Sequence, residues 1–221
     1  MTNPMPRLSC VIFDVDGTLT RTNELIFATF NHLAENYLGR KFSPEEIIAL
    51  FGPPEEGALE KVFGPERLHR LMDELCEYYR SHHATMADIH PGIDRMLGFL
   101  REHKILLAVF TGKGKRTAAI TLEALGLAGY FDLVVSGNDV TNHKPHPEGI
   151  LKVIETFSLE PDQVLMVGDS LSDIRASRAA GVKVAAVLWD SYDRERVLAA
   201  QSDFVFHTVD EMMKWFQSMI H

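Results

Sequence analysis

Two aspartates one residue apart close an apolar run: "LSCVIFDVDGT" brings Asp14 and Asp16 to the end of Val11, Ile12 and Phe13. Like charges beside a buried strand are costly unless a cation or a reaction uses them. In an extended chain, residues i and i+2 face one side, so Val15 points away and both carboxylates can approach one ligand. An ionised carboxylate attacks phosphorus without a base to activate it. A second carboxylate, protonated at the outset, can protonate the leaving oxygen and later take a proton from water.

Other residues of matching chemistry follow later apolar runs. Thr111 and Gly112 come after "ILLAVF", Lys144 lies in "NHKPHPEG", and Asp169 and Asp173 lie in "GDSLSD". Asp14, Asp169 and Asp173 would gather charge that only a hard cation neutralises well, and oxygen ligands without His or Cys suit magnesium. Lys144 adds a point positive charge. Thr111 and the Gly112 N–H are placed to receive phosphate oxygens near the start of the next helix. Metal and lysine would together lower the repulsion between an anionic nucleophile and an anionic phosphoryl group. The chemistry expected of this set is phosphoryl transfer.

Such residues converge only if the chain places them at one sheet edge. Five β-rich runs, at 8–13, 105–110, 133–136, 164–167 and 182–188, are continuously apolar, as in parallel strands buried on both faces. The intervals between the last four read as helices, and so does the segment before them, where Ile93, Met96, Leu97 and Leu100 follow i, i+3, i+4, i+7 spacing. "TVDE" at 208–211 matches a capping box for a last helix. Alternating strand and helix predict an α/β doubly wound parallel sheet, whose ligands gather beyond the carboxyl ends of the strands.

One interval breaks the rhythm. From 18 to about 88 no strong strand pattern appears, only helical ones. Leu68, Leu71, Met72, Leu75, Cys76 and Tyr79 make one helical face, Ile26, Phe30, Leu33 and Tyr37 another, and "SPEE" at 43–46 starts a short helix. Residues 1–17 and 89–221 are therefore expected to form the core, and 18–88 an inserted helical cap subdomain.

The 221 residues are 46% hydrophobic and 24% charged, ordinary for a globular protein, with a formal net charge of −9. That balance argues against nucleic acid or an anionic membrane as partner. The start lacks a signal-peptide pattern and no apolar run is long enough to span a bilayer, so the expectation is a cytoplasmic protein, monomer or weak homodimer. Cys10 and Cys76 suit burial as small apolar side chains and allow at most one disulfide. "TGKGKRT" fits neither phosphate-loop nor dinucleotide glycine pattern, and Lys113 and Lys115 read as solvated, with Lys113 in reach of a substrate anion. The histidines, His82, His83, His90, His143 and His146 among them, lack ligand spacing and read as surface or loop residues. Arg21, Asn23 and Glu24 lie where the first strand enters the cap, as a hinge or a substrate contact.

Each fragment alone also fits a turn or a capped helix start. Jointly, "DVDGT", "FTG", "HKPHP" and "GDSLSD", in this order and spacing, resemble the four motifs of the haloacid dehalogenase superfamily across nearly the whole chain. The resemblance implies a Rossmann-like sheet with a helical cap, Asp14 as nucleophile forming an aspartyl-phosphate, and Asp16 as general acid/base. It implies Thr111 and Lys144 as groups binding the transferring phosphoryl. It also implies magnesium held by Asp14, the Asp16 carbonyl and Asp169, with Asp173 in support. Within the superfamily the chain is similar to phosphoglycolate phosphatases and the related bacterial pyrophosphatases; "TNELI" and "GPP" favour the latter. The expected substrate is a small phosphorylated metabolite or pyrophosphate. The rivals are a phosphosugar mutase of the same superfamily and a non-catalytic module that binds a phosphorylated ligand.

Overall fold

The computed structural model describes residues 8–220; residues 1–7 of the expected core segment lie outside the described residues. The chain runs β1 (Cys10–Phe13), β2 (Thr20–Arg21), α1 (Asn23–Leu38), α2 (Pro44–Ile48), α3 (Glu55–Phe63), α4 (Leu68–Met86) and β3 (Asp88–Ile89). It continues with α5 (Ile93–Glu102), β4 (Leu106–Phe110), α6 (Lys115–Ala124), β5 (Leu133–Val135), α7 (Glu148–Phe157), β6 (Val164–Gly168) and α8 (Leu171–Ala180). The last elements are β7 (Lys183–Val187), α9 (Arg194–Ala199), β8 (Phe204–Phe206) and α10 (Val209–Met219).

Six strands form one parallel sheet in the order β5-β4-β1-β6-β7-β8. The continuous apolar runs are explained by a core on each face. Val11, Phe13, Leu107, Val109, Leu165 and Val167 point into one cluster, closed by α5 and α10. Cys10, Ile12, Ala108, Phe110, Val164 and Met166 point into another, closed by α7 and α8. Alternate residues of each strand thus serve opposite cores, and no polar face remains to give a period of two.

Helices α1, α3 and α4 share a separate apolar cluster of Leu25, Phe30, Leu33, Leu59, Leu71, Leu75 and neighbours, joined from the sheet side by Ile120. The chain enters and leaves this helical layer through β2 and β3, which pair antiparallel in a ribbon, Thr20 opposite Ile89 and Arg21 opposite Asp88. The sequence shows no strand here, because two-residue strands carry no periodicity. Strand β8 is likewise missed: at three residues, with Phe204 and Val205 only half buried, it is a short edge strand. Both cysteines are buried and free, and burial pushes the Cys10 thiol up to about 12. No helix among the described residues is long and apolar enough to cross a membrane.

Candidate active site

Strand β1 stops at Phe13, and the next six residues turn rather than extend. The Val15 carbonyl accepts N–H bonds from Leu19 at 2.9 Å and Thr20 at 3.1 Å, and the Thr20 hydroxyl at 3.1 Å. Gly17 takes φ +76°, and a Cβ there would stand 2.6 Å from Asp169 Oδ2. Glycine therefore serves both the left-handed turn and the close approach of the two loops. Asp14 and Asp16 do line one cavity, but a bend brings them there, not the extended chain that the i, i+2 spacing suggests.

Four side chains from three strand ends meet behind that bend. Asp14 Oδ1 accepts the Val15 N–H at 2.8 Å, and Oδ2 lies 3.1 Å from Lys144 Nζ. The ammonium also donates to Asp173 Oδ1 at 2.7 Å and to the Phe110 carbonyl at 3.2 Å. The other Asp173 oxygen accepts from the Ser170 hydroxyl at 2.5 Å and its N–H at 3.1 Å, the capping box that starts α8. Asp169 Oδ1 accepts from the Thr18 hydroxyl at 3.2 Å. All four charged residues are buried, and single oxygens of Asp14, Asp169 and Asp173 lie within 4.8 Å of one another.

Three buried carboxylates face one lysine. Burial pushes the Asp14 carboxyl up to about 6; Lys144 pulls against this, while Asp173 and Asp16 push further. Burial also drives Asp169 well above the carboxylate range, with Asp14 and Asp173 adding to it and Lys144 and Thr18 opposing. Burial opposes the charge of Lys144, but Asp14 and Asp173 outweigh it and hold the ammonium above its usual value. The uncompensated negative charge and the all-oxygen donor set fit a hard divalent cation. Asp173 is the weakest candidate ligand of the three, because both its oxygens are already engaged.

Thr111 and Gly112 reach the same cavity from the end of β4, with the Thr111 hydroxyl oxygen accepting the Lys113 N–H at 3.2 Å. The start of α6 is taken, however. Glu55 of α3 accepts the Gly114 N–H and the Thr117 hydroxyl, both at 2.6 Å, and Asn138 accepts the Lys115 N–H at 2.6 Å. Any phosphate bound at Thr111 and Gly112 therefore lies ahead of the helix and not on its terminus.

Several residues depart from the expectations. Lys113 is buried rather than solvated: its ammonium lies 3.3 Å from Asp16 Oδ1, donates to the Tyr79 hydroxyl at 3.1 Å and sits over that ring. Burial opposes its charge, yet Asp16, Tyr79 and Glu55 hold it above the ordinary lysine value. Asp16 also accepts from the Thr22 hydroxyl at 2.5 Å, so a lysine and a threonine orient it. His83 is buried on α4, neither on the surface nor in a loop, whereas His90 does lie in a loop, though a buried one. Asn23 lines the cavity and its amide donates to Asp190 at 3.2 Å, whereas Arg21 forms an exposed pair with Asp88 at 2.9 Å. Only position could have flagged Lys113: it stands two residues past Thr111 at a strand end, as Asp16 stands past Asp14.

The comparisons agree with the fold. The family model described as haloacid dehalogenase-like hydrolase matches residues 11–187. The chain is 30% identical to pyrophosphatase PpaX of Anoxybacillus flavithermus, over 93% of this chain and 95% of that one. A structure described as a predicted phosphoglycolate phosphatase from Haemophilus somnus superposes with a TM-score of 0.82 at 22% identity, covering 95% and 98% of the two chains. A Thermotoga maritima protein with a provisional beta-phosphoglucomutase name gives 0.75 at 28% identity, covering 96% and 99%. With a parallel sheet carrying four motifs to one edge and a match spanning most of the sequence, the chain belongs to the haloacid dehalogenase-like hydrolase family and is a hydrolase.

Proposed function

We propose that the protein is a magnesium-dependent phosphatase acting on a small phosphorylated metabolite or on pyrophosphate. The observation that carries this reading is the buried Asp14–Lys144–Asp173 chain beside Asp169, an anionic cluster with one lysine to balance it. The names of the relatives, a pyrophosphatase and a phosphoglycolate phosphatase, point the same way.

Asp14 and Asp169, with the Asp16 main-chain carbonyl, would hold magnesium, and the bound ion would supply charge neutralisation for the phosphoryl oxygens. Asp14 attacks phosphorus; the bond from phosphorus to the leaving oxygen breaks, and that oxygen takes a proton from Asp16. Water then attacks the aspartyl-phosphate, gives its proton to Asp16, and releases phosphate and the Asp14 carboxylate. Lys144, fixed by Asp173, and the Thr111 hydroxyl stabilise the transferring oxygens, and the helical layer of 18–88 acts as a cap that excludes water during transfer.

The test is phosphate release with and without magnesium from pyrophosphate, 2-phosphoglycolate, sugar phosphates, nucleotides and an aryl phosphate, in wild type and Asp14→Asn. The expected result is magnesium-dependent release that falls by at least about 10⁴-fold in the variant, with the fold kept. Undiminished release in Asp14→Asn would remove Asp14 from the mechanism. The mutase reading, favoured by the Thermotoga maritima likeness, predicts instead that a sugar phosphate is isomerised faster than it is hydrolysed.

A further inference from the structure

The cavity beyond the reacting end has a composition of its own. Its volume is about 510 Å³, room for roughly 17 waters at about 30 Å³ each, far more than pyrophosphate or phosphoglycolate fills. The wall contributed by α1 and the α2–α3 connection includes Ile26, Phe30, Ile48, Leu50 and Phe51, and holds no lysine, arginine or histidine. Its single charge is negative, Glu55. From the sheet side the cavity receives three cations, and each already faces a carboxylate: Lys113 with Asp16, Lys144 with Asp14 and Asp173, and Arg196 with Asp193 at 3.0 Å.

Seven large apolar side chains are exposed among the described residues, and three of them, Ile48, Phe51 and Tyr192, line this cavity. Phe51 and Tyr192 approach from opposite sides of the mouth with ring centroids 6.3 Å apart, and Phe27 braces both, stacked on Tyr192 at 5.9 Å. Aromatic rings held at the rim of a pocket with water on one face gain most when an apolar ligand covers them.

Resting on the phosphatase reading, we propose that the substrate is a phosphate monoester of an uncharged, largely apolar alcohol. Its leaving group would lie against Phe30, Leu50, Phe51 and Tyr192. A second phosphate or a carboxylate on the leaving group would enter a wall that offers it no cation and faces it with Glu55.

The test compares kcat/KM, with magnesium, across ethyl, butyl, hexyl and octyl phosphate, with pyrophosphate and 2-phosphoglycolate alongside. The expected result is a rise of up to about fourfold per methylene, with hexyl phosphate above both compounds that carry a second anionic group. Phe51→Ala is expected to lower hexyl phosphate by about tenfold more than ethyl phosphate, and Phe51→Arg to shift the ratio toward 2-phosphoglycolate. Phe51 is 40% exposed, so neither change empties a core. A flat or falling series with pyrophosphate or 2-phosphoglycolate ahead would overturn the leaving-group assignment and leave the phosphatase standing. No magnesium-dependent release from any compound would overturn both.

Discussion

Asp14, Lys144, Asp169 and Asp173 are buried and each is tied to a neighbour, whereas Phe51 and Tyr192, at the other end of the same cavity, are 40% and 48% exposed. The reacting end is fixed by charge: its partners come from β1, β6 and the loop before α7, elements built into the sheet. The far end meets the loop before α9 through ring contacts of Phe27 and Phe51 with Tyr192, beside the Asn23–Asp190 hydrogen bond at 3.2 Å and the bond from the Ser191 hydroxyl to the Asp169 carbonyl at 2.6 Å, and its Phe51 and Tyr192 rings stay open to water. The difference separates two tasks. Electrostatic stabilisation of a transition state requires groups that do not reorganise, while accommodation of a leaving group tolerates side chains that shift.

Substitutions at the rigid end should give the larger effects. Lys144→Met leaves Asp14 and Asp173 buried beside each other without their cation; turnover is expected to drop by at least about 10³-fold and stability by about 3 kcal/mol. Steady-state rates and urea unfolding check this, and a variant within tenfold of wild type would show that Lys144 is a bystander. Gly168→Ala is subtler. A Cβ at Gly168 would stand 2.4 Å from Asp173 Cγ, so Asp173 must shift and disturb its 2.7 Å contact with Lys144. A loss of about 10²-fold in kcat is expected, and unchanged kcat would show that Asp173 does not position the lysine.

The ribbon through which the chain enters and leaves the helical layer, with the loop that follows it, supplies smaller effects. Burial first, then Arg21, holds the His90 imidazole down at about 4, against 6.5 in an unfolded chain. The folded state therefore takes up the proton later than the unfolded state as pH falls. The stability His90 contributes is complete above about pH 6.5 and is lost as pH drops toward 4, a change of about 2 kcal/mol between pH 7 and pH 5. Urea unfolding at the two pH values measures it, and His90→Phe should flatten the dependence by that amount; an unaltered slope would place the titration elsewhere. The smallest effect belongs to Arg21→Ala. Its pair with Asp88 is half or more exposed on both sides, so the expected loss of stability is below about 1 kcal/mol, and a larger loss in the same unfolding measurement would make the ribbon a structural hinge pin.

The same division governs what the sequence made legible. Strands buried on both faces leave unbroken apolar runs, and strand ends are where an α/β sheet presents its ligands, so Asp14, Asp16, Thr111, Lys144 and Asp169 could be picked out by type and place. The capping boxes at Ser43 and Thr208 were visible because their partners lie three residues away. Lys113 was not, because its burial depends on Tyr79, which lies 34 positions earlier on α4. Glu55 on the start of α6, and the pairing of Phe51 with Tyr192, are likewise long-range contacts with no local pattern. The two-residue strands of the ribbon and the three-residue β8 fall below the length at which periodicity exists.

In this mechanism Asp14 carries the phosphoryl group between attack and hydrolysis. Rapid acid quench of the enzyme turning over a radiolabelled phosphate monoester with magnesium, followed by peptide mapping, tests it directly. Label on the peptide containing Asp14, formed and lost at rates that account for turnover and absent from Asp14→Asn, is the predicted result. Full turnover with label on another peptide, or with none on the protein at any time, would contradict it.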